Sequence, residues 1–184
     1  MGMRTALATG WMICFFLAAR VMAQEIPRSL EDPLDAFDAI RGFGKIELVL
    51  YGDAEAAGLS RAELYGFIMQ RILESFKDMK VLPLPEIPLN YTDNKAIRSY
   101  LAELYGLGYV FVGVFVVGKD YPVAYHIEYR FGNCLYMDES KKWPLWEREA
   151  LGFTSRKELK GDVMKWLAKL TEIMAKDFQD ARNN

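Results

Sequence analysis

The residues whose types and spacing could do chemistry are few. His126, Glu128 and Arg130 alternate along one stretch, so in an extended chain all three project from one face. A histidine, a carboxylate and a guanidinium in a row can bind a small ligand or share acid–base work. The same row is also what the solvated face of a half-exposed antiparallel strand looks like. His126 is the only histidine in the chain, which excludes a metal site built on two histidines, and no cysteine cluster replaces them. Asp35, Asp38, Asp53 and Glu55 lack calcium-loop spacing and read as loop charge. No serine lies in a Gly-x-Ser-x-Gly elbow. The close glycine pairs Gly42/Gly44 and Gly106/Gly108 each lead into a strand rather than a phosphate-cradling turn, which argues against nucleotide binding. No metal and no cofactor are expected. A second candidate set is aromatic: Trp143, Trp146 and Phe153 in a short connector, of the kind that anchor protein interfaces or else fold over a sheet edge into the core.

The elements that must position these groups are legible from hydrophobic period. Residues 109–117 are apolar on both alternating faces, as a central strand covered on two sides requires. Residues 123–131 alternate, with Val123, Tyr125, Ile127, Tyr129 and Phe131 on one side and the polar row on the other. The turn between them makes an antiparallel hairpin. Upstream, residues 45–51 read as the first strand. Ser60 with Glu63 forms a capping box that opens a helix carrying Leu64, Phe67, Ile68, Ile72, Leu73 and Phe76. Residues 81–85 contain Pro83 and Pro85, so a strand there belongs at a sheet edge. Thr92 or Asp93 caps a second helix, with Ile97, Tyr100, Leu101 and Leu104 inward. After the hairpin, residues 134–137 allow one more short strand. Ser155 with Glu158 then opens the longest helix, which runs to about Phe178. The expected fold is α/β: a mixed sheet of four to five strands in the order β-α-β-α-β-β-(β)-α, with the last helix across one face.

Bulk properties bound the rest. The chain has 184 residues, 52% hydrophobic and 14% aromatic, enough for one core-bearing domain. A net charge of −2 with both signs interspersed gives no footprint for nucleic acid. At the N-terminus Arg4, an apolar run over 6–19 and Val21-Met22-Ala23 read as a secretory signal cleaved after residue 23; a retained anchor is the alternative. The run is shorter than the roughly 20 residues of a span, so no stable membrane span is expected after cleavage. Residues 24–43 are then a leader and 44–182 a single α/β domain. Cys14 falls within the signal, leaving Cys134 without an internal disulfide partner and stability to the core.

Two stretches carry a resemblance: Ile46-Glu-Leu-Val-Leu-Tyr-Gly52 with the helix after Ser60, and Leu104-Tyr-Gly-Leu-Gly-Tyr-Val-Phe-Val-Gly113 running into the hairpin. In this order of elements the chain resembles the α/β module of the TolB amino-terminal domain and of curli-secretion and penicillin-binding-protein-activator lipoproteins. The resemblance spans most of 44–178, is topological, and carries over no functional residue. It implies an envelope component that binds other proteins. The chain departs from the lipoprotein members in having no lipid-attachment cysteine. The reading is therefore an exported protein, periplasmic or secreted, that acts without catalysis on an envelope or secreted protein partner. The alternative is an exported hydrolase or small-ligand binder using His126, Glu128 and Arg130. Self-association as a homo-oligomer through an edge strand is a third expectation.

Overall fold

The computed structural model describes residues 37–88, 93–120, 122–134 and 145–183. The signal segment, most of the leader, the expected strand over 134–137 beyond Cys134, and Trp143 lie outside the described residues. The elements are β1 (Gly42–Gly52), α1 (Arg61–Ser75), α2 (Asn94–Tyr105), β2 (Leu107–Val117), β3 (Val123–Asn133), β4 (Trp146–Thr154) and α3 (Arg156–Asn183). The strands form one mixed sheet in the order β1-β2-β3-β4, with β1 parallel to β2 and the other two pairs antiparallel. The long C-terminal helix lies on one face, and the expected α/β class holds.

Local chemistry sets the helix starts. Ser60 Oγ accepts from the Glu63 N–H, and Asp93 Oδ1 accepts from the N–H groups of Lys95 and Ala96 at 3.0 and 3.2 Å. Ser155 both accepts from the Glu158 N–H and donates to its carboxylate at 2.8 Å. Leu64, Ile68 and Ile72 of α1 and Leu159, Val163, Leu167, Leu170 and Met174 of α3 recur at helical spacing and are buried. They meet Ile46 and Leu48 of β1, the even-numbered valines of β2 and the odd-numbered residues of β3. Each such side chain contributes about 1.5–3 kcal/mol by leaving water. One buried polar link joins α3 to β3. Thr171 Oγ1 donates to the Leu167 carbonyl at 2.8 Å, so its single proton is used and Tyr129 must donate to it at 2.9 Å.

Several expectations are corrected. Residues 81–85 form no strand among the described residues: Val81 makes a single parallel bridge to Phe43, and Pro83 and Pro85 end the pairing because they lack an N–H. The stretch after Trp143 is a full fourth strand rather than a connector. Strand β1 starts at Gly42, inside the expected leader, with Phe43 fully buried against Phe76. Leu73 faces water, and of the inward set in α2 only Leu104 is buried.

Candidate functional site

Both sequence-derived sets that fall among the described residues map onto the sheet, and the sheet has two unlike faces. The first is covered by α1 over β1 and by α3 over β3 and β4. On the second, α2 reaches only the start of β2, where Leu104, Leu107, Tyr109 and Cys134 make a small satellite cluster. Burial pushes the Cys134 thiol up to about 11, and it donates to the Gly108 carbonyl at 3.3 Å.

Register lays out the rest of the second face in rows. Glu47, Phe111, Arg130 and Glu147 form one row; Val49, Gly113, Glu128 and Glu149 form the next. Tyr51, Phe115, His126 and Leu151 follow, and Val117, Ala124 and Phe153 end the face. The face is thus charged at one end and apolar at the other.

At the charged end Arg130 is held between two carboxylates. It pairs with Glu128, and its Nε donates to Glu147 Oε1 at 2.8 Å. Burial works against the guanidinium, but the hydrogen bond to Glu147 and the charges of Glu128 and Glu147 outweigh it and hold its pKa above the ordinary value. Glu128 is the buried member, with its side chain 12% exposed. His126 Nε2 lies 3.4 Å from Glu149 Oε2 without hydrogen-bond alignment. The structure therefore brings His126, Glu128 and Arg130 together, but each faces a neighbour on the same sheet. An open hollow of about 560 Å³, lined in part by Pro85, Ile87, Tyr100 and Glu103, lies by α2 and not over this row. Among the described residues no group of three or more His, Cys, Asp or Glu is placed to hold a metal ion, and no helix is long and apolar enough to cross a membrane.

At the apolar end the rings of Tyr51 and Phe115 stack at 4.2 Å and 8°, and His126 continues the stack at 5.5 Å and 25°. Around this ladder Phe153 is 80% exposed, Leu151 74%, Val117 70% and Tyr51 37%. Of the aromatic set read from sequence, Phe153 is on this surface. Trp146 is not: at 7% exposure it lies edge-on to Tyr129, and its Nε1 donates to Asp177 at 2.8 Å. Sequence reading missed Tyr51, Phe115, Val117 and Leu151. Tyr51, Phe115 and Val117 sit at the second parity of strands already recognised, whereas Leu151 lies on β4, which was not.

No protein-family model matches the chain, and no curated protein matches it. Among solved structures it is similar to the PelC dodecamer from Paraburkholderia phytofirmans in space group P6, at 11% identity and a TM-score of 0.40, covering 73% of this chain and 86% of that one. A single-substitution variant of the same dodecamer in space group C2 gives 13% identity and a TM-score of 0.39, over 72% and 88% of the two chains. At these scores the likeness is one of general chain course, and no site or activity is carried across.

Proposed function

We propose that the chain is an exported, non-catalytic accessory protein of the cell envelope that works by binding another protein. Its contact surface is the apolar end of the second sheet face, away from α2. The observation that carries this is the exposure of Tyr51, Val117, Leu151 and Phe153 around Phe115, His126 and Ala124 in two adjacent rows of the sheet. Single exposed apolar residues are ordinary on a protein surface, but contiguous ones mark an interaction site. Export, to the periplasm or the exterior, follows from the signal-like segment over 1–23. The hydrolase or ligand-binding alternative draws less support, because Arg130 is taken up by Glu128 and Glu147 and the His126 ring is stacked on Phe115.

Val117→Glu tests the reading, since Val117 is exposed and its loss leaves no cavity. Affinity capture from envelope extracts should lose its protein partner with Val117→Glu, while circular dichroism and melting temperature stay unchanged. Retention of the partner by Val117→Glu, together with a hydrolytic or ligand-binding activity lost in His126→Ala, would establish the alternative instead.

A further inference from the structure

We propose that the β4 border of this surface takes a second copy of the chain, joined by antiparallel pairing of two β4 edges about a two-fold axis at Gly152. The inference rests on the protein-binding reading above and names the partner.

The first observation is the edge itself. Strand β4 ends the sheet, and no described residue pairs with its outer side. Its nine residues span roughly 30 Å of unpaired backbone, a template that proteins normally guard with charge or cover. The guard covers only half of it. Glu147, Arg148 and Glu149 protect the first part, whereas Ala150-Leu151-Gly152-Phe153-Thr154 carries no charge.

Register then selects the partner. A two-fold contact must be self-complementary, because each residue meets its symmetry-related opposite. Centred on Gly152, Leu151 of each copy faces Phe153 of the other. Four exposed apolar side chains meet on the second face, and Ala150 faces Thr154 on the opposite one. Centred on Ala150, Glu149 would face Leu151 and Glu147 would face Phe153, setting carboxylates against apolar groups. Centred on Leu151, Glu149 would face Phe153, and centred on Phe153, Leu151 would face Ser155; only the Gly152 register sets both apolar side chains against apolar ones.

Charge and packing agree with it. Past the paired segment, Glu147 and Glu149 approach the start of α3 in the second copy, where Lys157 lies exposed. Arg148 does not oppose this, since it turns to the helix side, stacks on Trp146 and lies 3.5 Å from Asp177. Gly152 has no side chain because the ring of Tyr125 occupies its helix-side position, 2.7 Å from where a Cβ would sit at Cε1. Each α3 lies over its own β3 and β4. Across such an axis the two helices would run roughly 10 Å apart, a packed-helix spacing.

The test is the solution mass of the purified protein by light scattering over a concentration series. A mass of twice the 21.1 kDa chain (or twice that of the processed chain) is expected. Leu151→Lys/Phe153→Lys should halve it at concentrations where the wild type is dimeric; both positions are exposed, and circular dichroism confirms folding. Register is read from cysteine pairs. An oxidised mixture of Leu151→Cys with Phe153→Cys should give a covalent heterodimer, and neither variant alone a covalent dimer, because directly opposed residues lie within disulfide reach. A wild type monomeric throughout the series, a dimer indifferent to the lysines, or cross-linking of Glu149→Cys with Leu151→Cys in its place each overturns the proposal. A monomer that still captures a different protein, and loses it with Val117→Glu, overturns this inference alone and leaves the accessory reading standing.

Discussion

Arg130→Met separates an internally compensated charge row from a ligand site. In the wild type Arg130 serves both Glu128 and Glu147, and register sets Glu128 directly opposite Glu149. Without the guanidinium three carboxylates crowd one corner of the sheet, and the least exposed, Glu128, has no cation beside it. Breaking a fully buried pair costs about 3–5 kcal/mol. Here the Arg130 and Glu147 side chains are 33% and 38% exposed, so solvent screening lowers the expected loss to about 2 kcal/mol. For a domain of this size that is a melting-temperature drop of about 4–8 °C. Arg130→Met/Glu128→Met removes the stranded charge and should recover most of the drop, because an apolar pair replaces an ionic one at little net cost. Thermal denaturation followed by circular dichroism reads both variants. An unchanged melting temperature in Arg130→Met, or a double variant less stable than the single, refutes the reasoning and leaves Arg130 available to a ligand.

Two glycines predict opposite signs. Gly152→Ala forces the Tyr125 ring aside and should cost about 1–3 kcal/mol, whereas Gly161→Ala, with open space around it in α3, should gain about 1 kcal/mol; chemical denaturation measures both. Thr171→Val strands the buried Tyr129 hydroxyl and should cost about 1–3 kcal/mol, Tyr129→Phe should cost less because Thr171 keeps its bond to the Leu167 carbonyl, and the double variant should fall well below their sum. The Cys134 thiol, pushed up to about 11 from an ordinary value near 9, keeps its proton in the folded state after the unfolded chain has lost it. Its contribution is complete below pH 9 and is lost as pH rises to about 11, by about 2–3 kcal/mol at most. Stability in denaturant should therefore fall over that window, and Cys134 should resist alkylation, read by peptide mass, until the protein unfolds.

The covered face was legible because its signal is local. The alternation of residues 123–131, the helical spacing from Leu64 to Ile72 and the capping pairs Ser60/Glu63 and Ser155/Glu158 each need only neighbouring residues to be read, and each is in place. Strand β4 was hidden for a physical reason. Its helix-side positions are Trp146, Arg148, Ala150, Gly152 and Thr154. A helix-side position filled by arginine looks polar, and Arg148, 56% exposed, reaches along Trp146 to Asp177. A core position filled by glycine looks like a turn, but the space belongs to Tyr125 from the next strand. Two of five inward positions thus borrow their chemistry from elsewhere in the fold.

The candidate surface was hidden more deeply. Residues 109–117 read as a strand buried on both sides, and their composition supports nothing else. What leaves Val117 in water is the placement of α2, whose 12 residues reach β2 only near Leu107 and Tyr109. The exposed patch is therefore a difference between what a strand can bury and what its own chain supplies to bury it. That difference has no local signature, because Tyr51, Phe115 and Val117 are the same residues a covered strand would use. It becomes readable only when the register lines them up with Leu151 and Phe153 beside an edge whose charges stop at Glu149. Among the described residues β2 is exposed only at its last residue, Val117, and covering that end from outside the chain requires no catalytic group. The charged end, by contrast, compensates itself, since Arg130 lies between Glu128 and Glu147.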